Sequence, residues 1–204
     1  MALVDRVKLA TIAGAMLLAA VPAGAQVYSD GYKFLEAVDK KDRAKVIEVY
    51  NKSPTVIDAR DITKGFTGLH LATQERDLEF MEFLFGLHPN PNLADKQGVT
   101  PLMLASQMGW IEGIAMLTKH GARVDVANNA GETPLISAVH RRDLGMLRVL
   151  LKAGADPDRH DNSGRSARDY AGLDNSGQVM LNEIERLTDK DAKEKSAQVY
   201  GPSF

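Results

Sequence analysis

Not one cysteine occurs in the 204 residues, which excludes disulfides, thiolate metal sites and thiol nucleophiles together. The fold must be held by packing alone. A large excess of charge of either sign is also missing: 25 basic and 27 acidic residues leave a net charge of −2, too near neutral to point to nucleic acid or an anionic lipid surface as partner. Long hydrophobic runs are lacking as well. The most apolar stretch, the uncharged 13 residues from Leu9 to Val21, reaches only about 20 Å as a helix, short of a hydrocarbon core of about 30 Å. Arg6 and Lys8 precede this stretch and Ala23-Gly24-Ala25 follows it, which is the layout of a secretory signal peptide with a small-x-small cleavage site. Residues 1–25 are therefore expected to be removed, leaving a mature chain from Gln26 with net charge −3, since Arg6, Lys8 and Asp5 leave with the leader. An exported, cysteine-free chain of this kind points to a periplasmic or secreted location and to no membrane association after cleavage.

Motifs of catalysis are missing too. There is no Gly-x-Ser-x-Gly elbow and no phosphate-binding glycine loop. The histidines at 70, 88, 120, 140 and 160 show no i, i+4 pair of the sort that grips a metal on a helix. Asp156, Asp158, His160 and Asp161 invite comparison with a calcium loop, but its sixth position holds Asp161 where glycine is needed and its twelfth holds Ala167 where glutamate is needed. No catalytic residue, cofactor or metal is expected.

What the chain does have is a period. Thr100-Pro101-Leu102 returns as Thr133-Pro134-Leu135 after 33 residues, with Thr67-Gly68-Leu69-His70-Leu71-Ala72 one period before and Ser166-Ala167-Arg168-Asp169-Tyr170-Ala171 one period after. Apolar residues keep the same phase: Leu78, Ile111 and Leu144; Met81, Ile114 and Leu147; Leu84, Leu117 and Leu150. Their spacing of three within each unit marks one face of a helix. Ala44, Ile47 and Tyr50 take the equivalent places upstream after a slip of one residue, which adds an atypical unit from about Phe34. Between units, Asp95 to Gly98, Asn128 to Gly131 and Asp161 to Gly164 each place an Asx residue three before a glycine, as a tight turn requires; Asp61 to Gly65 is one residue longer.

Thr-Pro-Leu-x-x-Ala at a period of 33, together with Gly154-Ala155-Asp156-Pro157, resembles the ankyrin repeat over residues 34–187. The resemblance implies an all-α solenoid of about five stacked helix-turn-helix units joined by β-turn loops, with the degraded first and last units acting as caps. Residues 26–33 are then a lead-in and 188–204 a polar tail ending in Val199, Tyr200, Pro202 and Phe204. First helices are expected to start after Thr67, Thr100 and Thr133 and to end near Glu75, Met108 and Arg141; second helices run from about Ile111 to Lys119 and Leu144 to Ala153, stopped by Gly121 and Gly154. The family's histidine survives only as His70, with Met103 and Ile136 in its place, and His88 stands where later units have glycine.

The same resemblance implies what the chain does. Ankyrin partners meet the turn tips and the exposed side of each first helix, along a concave surface. Carried onto this sequence, those positions are Phe66, Gln74 and Glu75; Lys96, Gln97, Val99, Gln107, Met108 and Trp110; then Asn129, Glu132, His140 and Arg141; and Arg165. Val99, Met108 and Trp110 are expected to form an apolar centre with a polar rim, although Trp110, at the junction of two helices, can equally pack across its own unit. His140, Arg141 and Arg142 form the short basic cluster of this face, either a solvated helix end or a site for an acidic surface. Residues 188–196 read as a frayed or disordered tail. The chain is thus read as a non-enzymatic protein-protein interaction module, a scaffold or regulator outside the cytoplasm whose partner is another protein. A structural or self-associating protein is the alternative, and a hydrolase or metal-dependent enzyme has the least support.

Overall fold

The computed structural model describes residues 23–173 and 177–199, with side chains from Asp30 to Asp189 outside the gap. Residues 1–22 of the expected leader, and the apolar end at Tyr200 to Phe204, lie outside the described residues, while Ala23-Gly24-Ala25 opens the first helix. Among the described residues there are ten α-helices and one short 3-10 helix, and no strand. They form pairs: α1 (Ala23–Asp39) with α2 (Arg43–Lys52), α3 (Gly68–Gln74) with α4 (Leu78–Phe85), α5 (Pro101–Gln107) with α6 (Ile111–Lys119), α7 (Pro134–His140) with α8 (Leu144–Lys152), and α9 (Ala167–Gly172) with α10 (Gln178–Val199). The 3-10 helix Pro54–Asp58 closes the first pair.

Local chemistry sets these boundaries. Thr100 and Thr133 accept the backbone N–H of Met103 and Ile136 at 3.3 and 3.2 Å, and a proline follows each at the first helical position, where no donor is lost. Ser166 and Asp169 form a reciprocal capping box at the start of α9. Second helices start on aspartate: Asp42, Asp77 and Asp143 accept the N–H three residues on at 2.9 to 3.0 Å. Between the helices of a pair sits a residue of positive φ, namely Lys41, Arg76, Gly109 and Arg142. The C-caps of the first helices fall at Glu75, Met108 and Arg141, as the period predicts, and Gly121 and Gly154 stop α6 and α8 in the left-handed region.

Two rows result. The first helices α1, α3, α5, α7 and α9 touch in order along one side, and the second helices α4, α6, α8 and α10 touch in order along the other. Between them lies one apolar layer, in which Leu102, Ile114, Leu117, Leu135, Leu147 and Leu150 have no exposed surface. Fully burying each of these is worth roughly 1.5–3 kcal/mol. Among the described residues no buried side-chain nitrogen or oxygen lacks a hydrogen-bond partner.

The ends depart from expectation. The register slip of the first unit is two residues, since Asp42, Val46 and Val49 match Asp77, Met81 and Leu84. The buried face of α2 is Val46 and Val49, while Ala44 is exposed and Ile47 and Tyr50 are half-buried. At this end a strict period misleads, because the first connection closes with a 3-10 turn in place of the glycine stop. The expected lead-in and the first helix are one element, α1. At the other end the polar stretch after Thr188 is not a coil: α10 continues to Val199. Its inner face, Met180, Ile184 and Leu187, is buried against the array, and the residues beyond are helix formers such as Lys, Ala and Glu with no glycine or proline before Gly201. The strongly polar composition there is that of a helix.

Candidate interaction surface

The turn tips repeat one design. Asp95 Oδ1 accepts from the N–H of Gln97 and Val99, both at 2.8 Å; Asn128 Oδ1 accepts from Ala130 and Glu132, both at 3.0 Å; and Asp161 Oδ1 accepts from Ser163 and Arg165. The turns then bond to one another. Lys96 N–H donates to Lys64 O, Asn129 N–H to Gln97 O and Asn162 N–H to Ala130 O, at 2.9 to 3.2 Å. Two side chains reinforce this ladder, Asn129 Nδ2 donating to Lys96 O at 3.2 Å and Asn162 Nδ2 to Asn129 O at 2.9 Å. Gly98 shows why glycine closes the turn: its φ is +79°, and a Cβ there would stand 2.9 Å from Asn129 N.

A family model for ankyrin repeats, three copies, matches residues 56–161, just over half of the chain. The chain belongs to the ankyrin-repeat family. Ankyrin arrays are generally protein-protein interaction modules. This ankyrin array has the helical solenoid architecture of its family, with every described unit a helix-turn-helix.

On the ankyrin surface the expected positions divide. Gln74, Glu75, Lys96, Gln97, Gln107, Asn129, His140, Arg141 and Arg165 are exposed, and Phe66, Met108 and Glu132 are half-buried. Val99 and Trp110 are not at the surface, with relative exposures of 7% and 6%. The apolar interface centre expected from Val99, Met108 and Trp110 is therefore corrected. Trp110 occupies the N-cap position that Asp42, Asp77 and Asp143 hold in their units, makes no side-chain cap, and turns its indole onto α6 over Gly113, where an added Cβ would overlap the ring. Val99 is drawn in beside His70, whose Nε2–H donates to Val99 O at 3.0 Å while Nδ1 accepts from the Thr67 N–H at 3.1 Å. His70 is the repeat histidine tying its own helix start to the next turn. Burial pushes its pKa below the ordinary imidazole value.

Several exposed side chains are already engaged. Arg141 Nη1 donates to Gln107 O at 2.9 Å and Arg76 Nη2 to Met108 O at 2.7 Å, so guanidinium groups from both neighbours cap the C-terminal carbonyls of α5. Lys96 Nζ donates to Ile62 O, and Phe66 stacks on His70 with ring centres 5.1 Å apart. Gln74 and Glu75 line a small cleft of about 120 Å³ with Asp39 and Lys41.

At the fourth and fifth units the structure brings together three expected residues around one that sequence reasoning did not single out. The Tyr170 ring meets the His140 ring edge-on, centres 4.5 Å apart, and Arg165 Cζ lies 5.9 Å from the Tyr170 centroid. His140 Nδ1 is 3.5 Å from Glu132 Oε1. The Tyr170 hydroxyl donates to Asp161 Oδ2 at 2.7 Å, and the Ser163 and Tyr170 hydroxyls together hold the Asp161 carboxyl well below the usual carboxylate range. The signal for Tyr170 was in the period, since it falls 33 residues after Ser137 on a first helix. Nearby, the candidate calcium ligands serve the fold: Asp158 is paired with Arg168 at 2.7 Å and Asp156 accepts the Asp158 N–H at 2.9 Å. Among the described residues no group of three or more such side chains converges as a metal site requires.

Proposed function

We propose that this ankyrin array acts as a scaffold or regulator outside the cytoplasm, binding a partner protein through its turn tips and exposed first-helix side, with the corner formed by Glu132, His140, Arg165 and Tyr170 as the principal contact. The arrangement of that corner carries the reading. An aromatic ring held in place by a carboxylate is flanked by an imidazole, a guanidinium and a second carboxylate, a mixture that gives apolar contact area with a polar rim at low entropic cost. The export part of the proposal rests on Arg6, Lys8, the run from Leu9 to Val21 and Ala23-Gly24-Ala25. No helix among the described residues is long and apolar enough to cross a membrane.

The test has two readouts. Mass spectrometry of the chain recovered from the periplasm of an expressing host should find a product starting at Gln26; recovery of uncleaved chain from the cytoplasm alone would defeat the location. Affinity capture from periplasmic extract with the parent and with His140→Ala/Arg165→Glu should return a protein bound by the first and lost from the second. Equal capture by both would remove this corner as the site, and capture of further copies of the chain itself would favour self-association.

A further inference from the structure

Nearly every described cation of the array is engaged within the molecule. Lys41 pairs with Asp77, Arg43 with Glu79, Arg148 with Glu183 and Arg168 with Asp158; Arg60, Arg76 and Arg141 reach carbonyls of a neighbouring unit. Lys119, Arg123, Lys152 and Arg159 differ. All four are exposed, and no ion pair, side-chain hydrogen bond or ring contact holds any of them. They also come together. Arg123 and Arg159 line a depression of about 640 Å³ with Val126 and Ala127, and Lys119 and Lys152 line an adjoining one of about 410 Å³ with Ala115 and Val149. The two share Ala122, Val124 and Ala153, so they make one groove along α6, α8 and the loops that follow them.

The groove has an aliphatic floor of small residues and a basic rim. Asp125 is the one carboxylate lining it; its Oδ1 accepts the Asp156 N–H at 3.0 Å, and Arg159 approaches it without forming an ion pair. The scaffold does not need this charge. One unit earlier the places of Lys119 and Arg123 are held by Gly86 and Asn90, and that of Arg159 two units earlier by Leu93, yet the helices and the loop bonds there are the same in kind: Asn90 N–H donates to Asp58 and Arg123 N–H to Asn92 as Asp156 N–H does to Asp125. Four like charges in one groove repel each other, and carboxylates supplied from outside would relieve this.

We propose that this groove, on the side of the array opposite the turn-tip corner, is a docking site for an extended acidic peptide segment of a partner protein. Carboxylates of the segment engage Lys119, Arg123, Lys152 and Arg159, and its small aliphatic side chains lie on Ala122, Val124 and Ala153. Charge complementarity selects the acidic character, and the run of the lining along α6, α8 and the loops that follow them selects an extended chain. No aromatic side chain lines the groove, so it lacks the stacking platform of a single-stranded nucleic-acid site. Its apolar residues are alanine and valine, without the tryptophan, phenylalanine or leucine that an amphipathic membrane-binding surface presents. The proposal stands independently of the turn-tip site.

Fluorescence anisotropy of a labelled peptide of alternating Glu and Ala, titrated with the full chain at low and at physiological salt, tests it. The parent should bind and the same peptide with Gln for Glu should not. Lys119→Gln/Lys152→Gln and Arg123→Gln/Arg159→Gln, each checked for helicity by circular dichroism, should each weaken binding about tenfold through loss of two ion pairs. His140→Ala/Arg165→Gln should leave it unchanged. Failure of the parent to bind at low salt, equal binding by the groove variants, or loss of binding in the turn-tip variant would each overturn the proposal. Cosedimentation with phosphatidylserine vesicles is the second arm: binding there that the groove variants abolish and the acidic peptide does not compete away would assign the groove to membrane in place of peptide.

Discussion

The two sides of the array share one apolar layer and use their polar groups in opposite ways. On the turn-tip side, side chains that the family resemblance marks as partner contacts are spent on neighbours: Asn129 extends the turn-to-turn ladder, as the unmarked Asn162 also does, and Arg141 caps a helix of the preceding unit. On the side of α6 and α8, four cations stand over an aliphatic floor with no internal partner. A repeat position facing solvent is thus not by itself a free position. Where exposed groups link one unit to the next, that surface stabilises the stack; the second-helix side has such links too, Arg148 to Glu183 among them, but Lys119, Arg123, Lys152 and Arg159 keep their charged groups out of them.

This contrast can be broken at four points. The largest effect belongs to the shared layer: Leu150→Ala should cost about 2–5 kcal/mol in urea melts, because Leu150 has no exposed surface and the cavity opens between units. A loss below half a kcal/mol would mean the layer does not hold the two rows together. Next is His70→Ala, which removes the acceptor of the Thr67 N–H, leaves Val99 O with the Asp95 N–H alone and empties the buried ring's place; it should cost about 2 kcal/mol or more, whereas His70→Met, the residue of the next unit, refills the space and should cost less. The parent should also lose stability on acidification. Burial depresses the folded-state pKa of His70, so the unfolded chain takes up the proton first; this stability is present in full above the ordinary value of 6.5 and is lost as pH falls below it toward the lower folded-state value. The His70→Met protein should show a flatter pH profile, and equal slopes for both would assign the effect to other groups.

Smaller again is the ladder. Asn129→Ala and Asn162→Ala each remove one side-chain bond to a turn carbonyl and should cost about 0.5–1.5 kcal/mol by the same melts. No change in either would reduce the turn-tip cross-links to decoration. Smallest is Lys119→Gln/Lys152→Gln, which should leave stability within about 0.5 kcal/mol of the parent, since neither side chain has an internal partner. A clear destabilisation would show that the groove cations do serve the fold, and the contrast between the two sides would fail.

The middle of the fold was legible in the sequence because three independent signals coincide there: Thr-Pro starts, Asx-to-Gly turns and apolar spacing of three all keep the 33-residue phase between Thr67 and Gly164. The first unit was harder to read, since its connection ends in Pro54–Asp58 and shifts the register by two. The end of α10 was misjudged because a polar helix and a polar coil share a composition. Of the interaction surface, position on the turn tips could be read but orientation could not. Trp110 sits where its neighbours' aspartates do, and only the absence of a side chain at Gly113 makes room for the indole to turn inward. Tyr170 and the groove cations were missed for a different reason. Each is ordinary within its own unit, and the corner and the groove exist only where adjacent units meet.

The ladder of turns also governs how this molecule can change length over evolutionary time. Each turn donates and accepts at fixed places relative to its glycine: the residue two before Gly98, Gly131 or Gly164 donates to the residue just before the glycine of the preceding turn. The long turn from Asp61 to Gly65 keeps this rule, carrying its extra residue at Ile62, which points out with 70% exposure while Lys64 O still meets Lys96 N–H. The rim thereby absorbs one extra residue without losing its bond to the next turn, while the second extra residue of the first unit lies in the stretch that contains Pro54–Asp58. The hydrogen-bonded rim acts as a reading frame for the repeat.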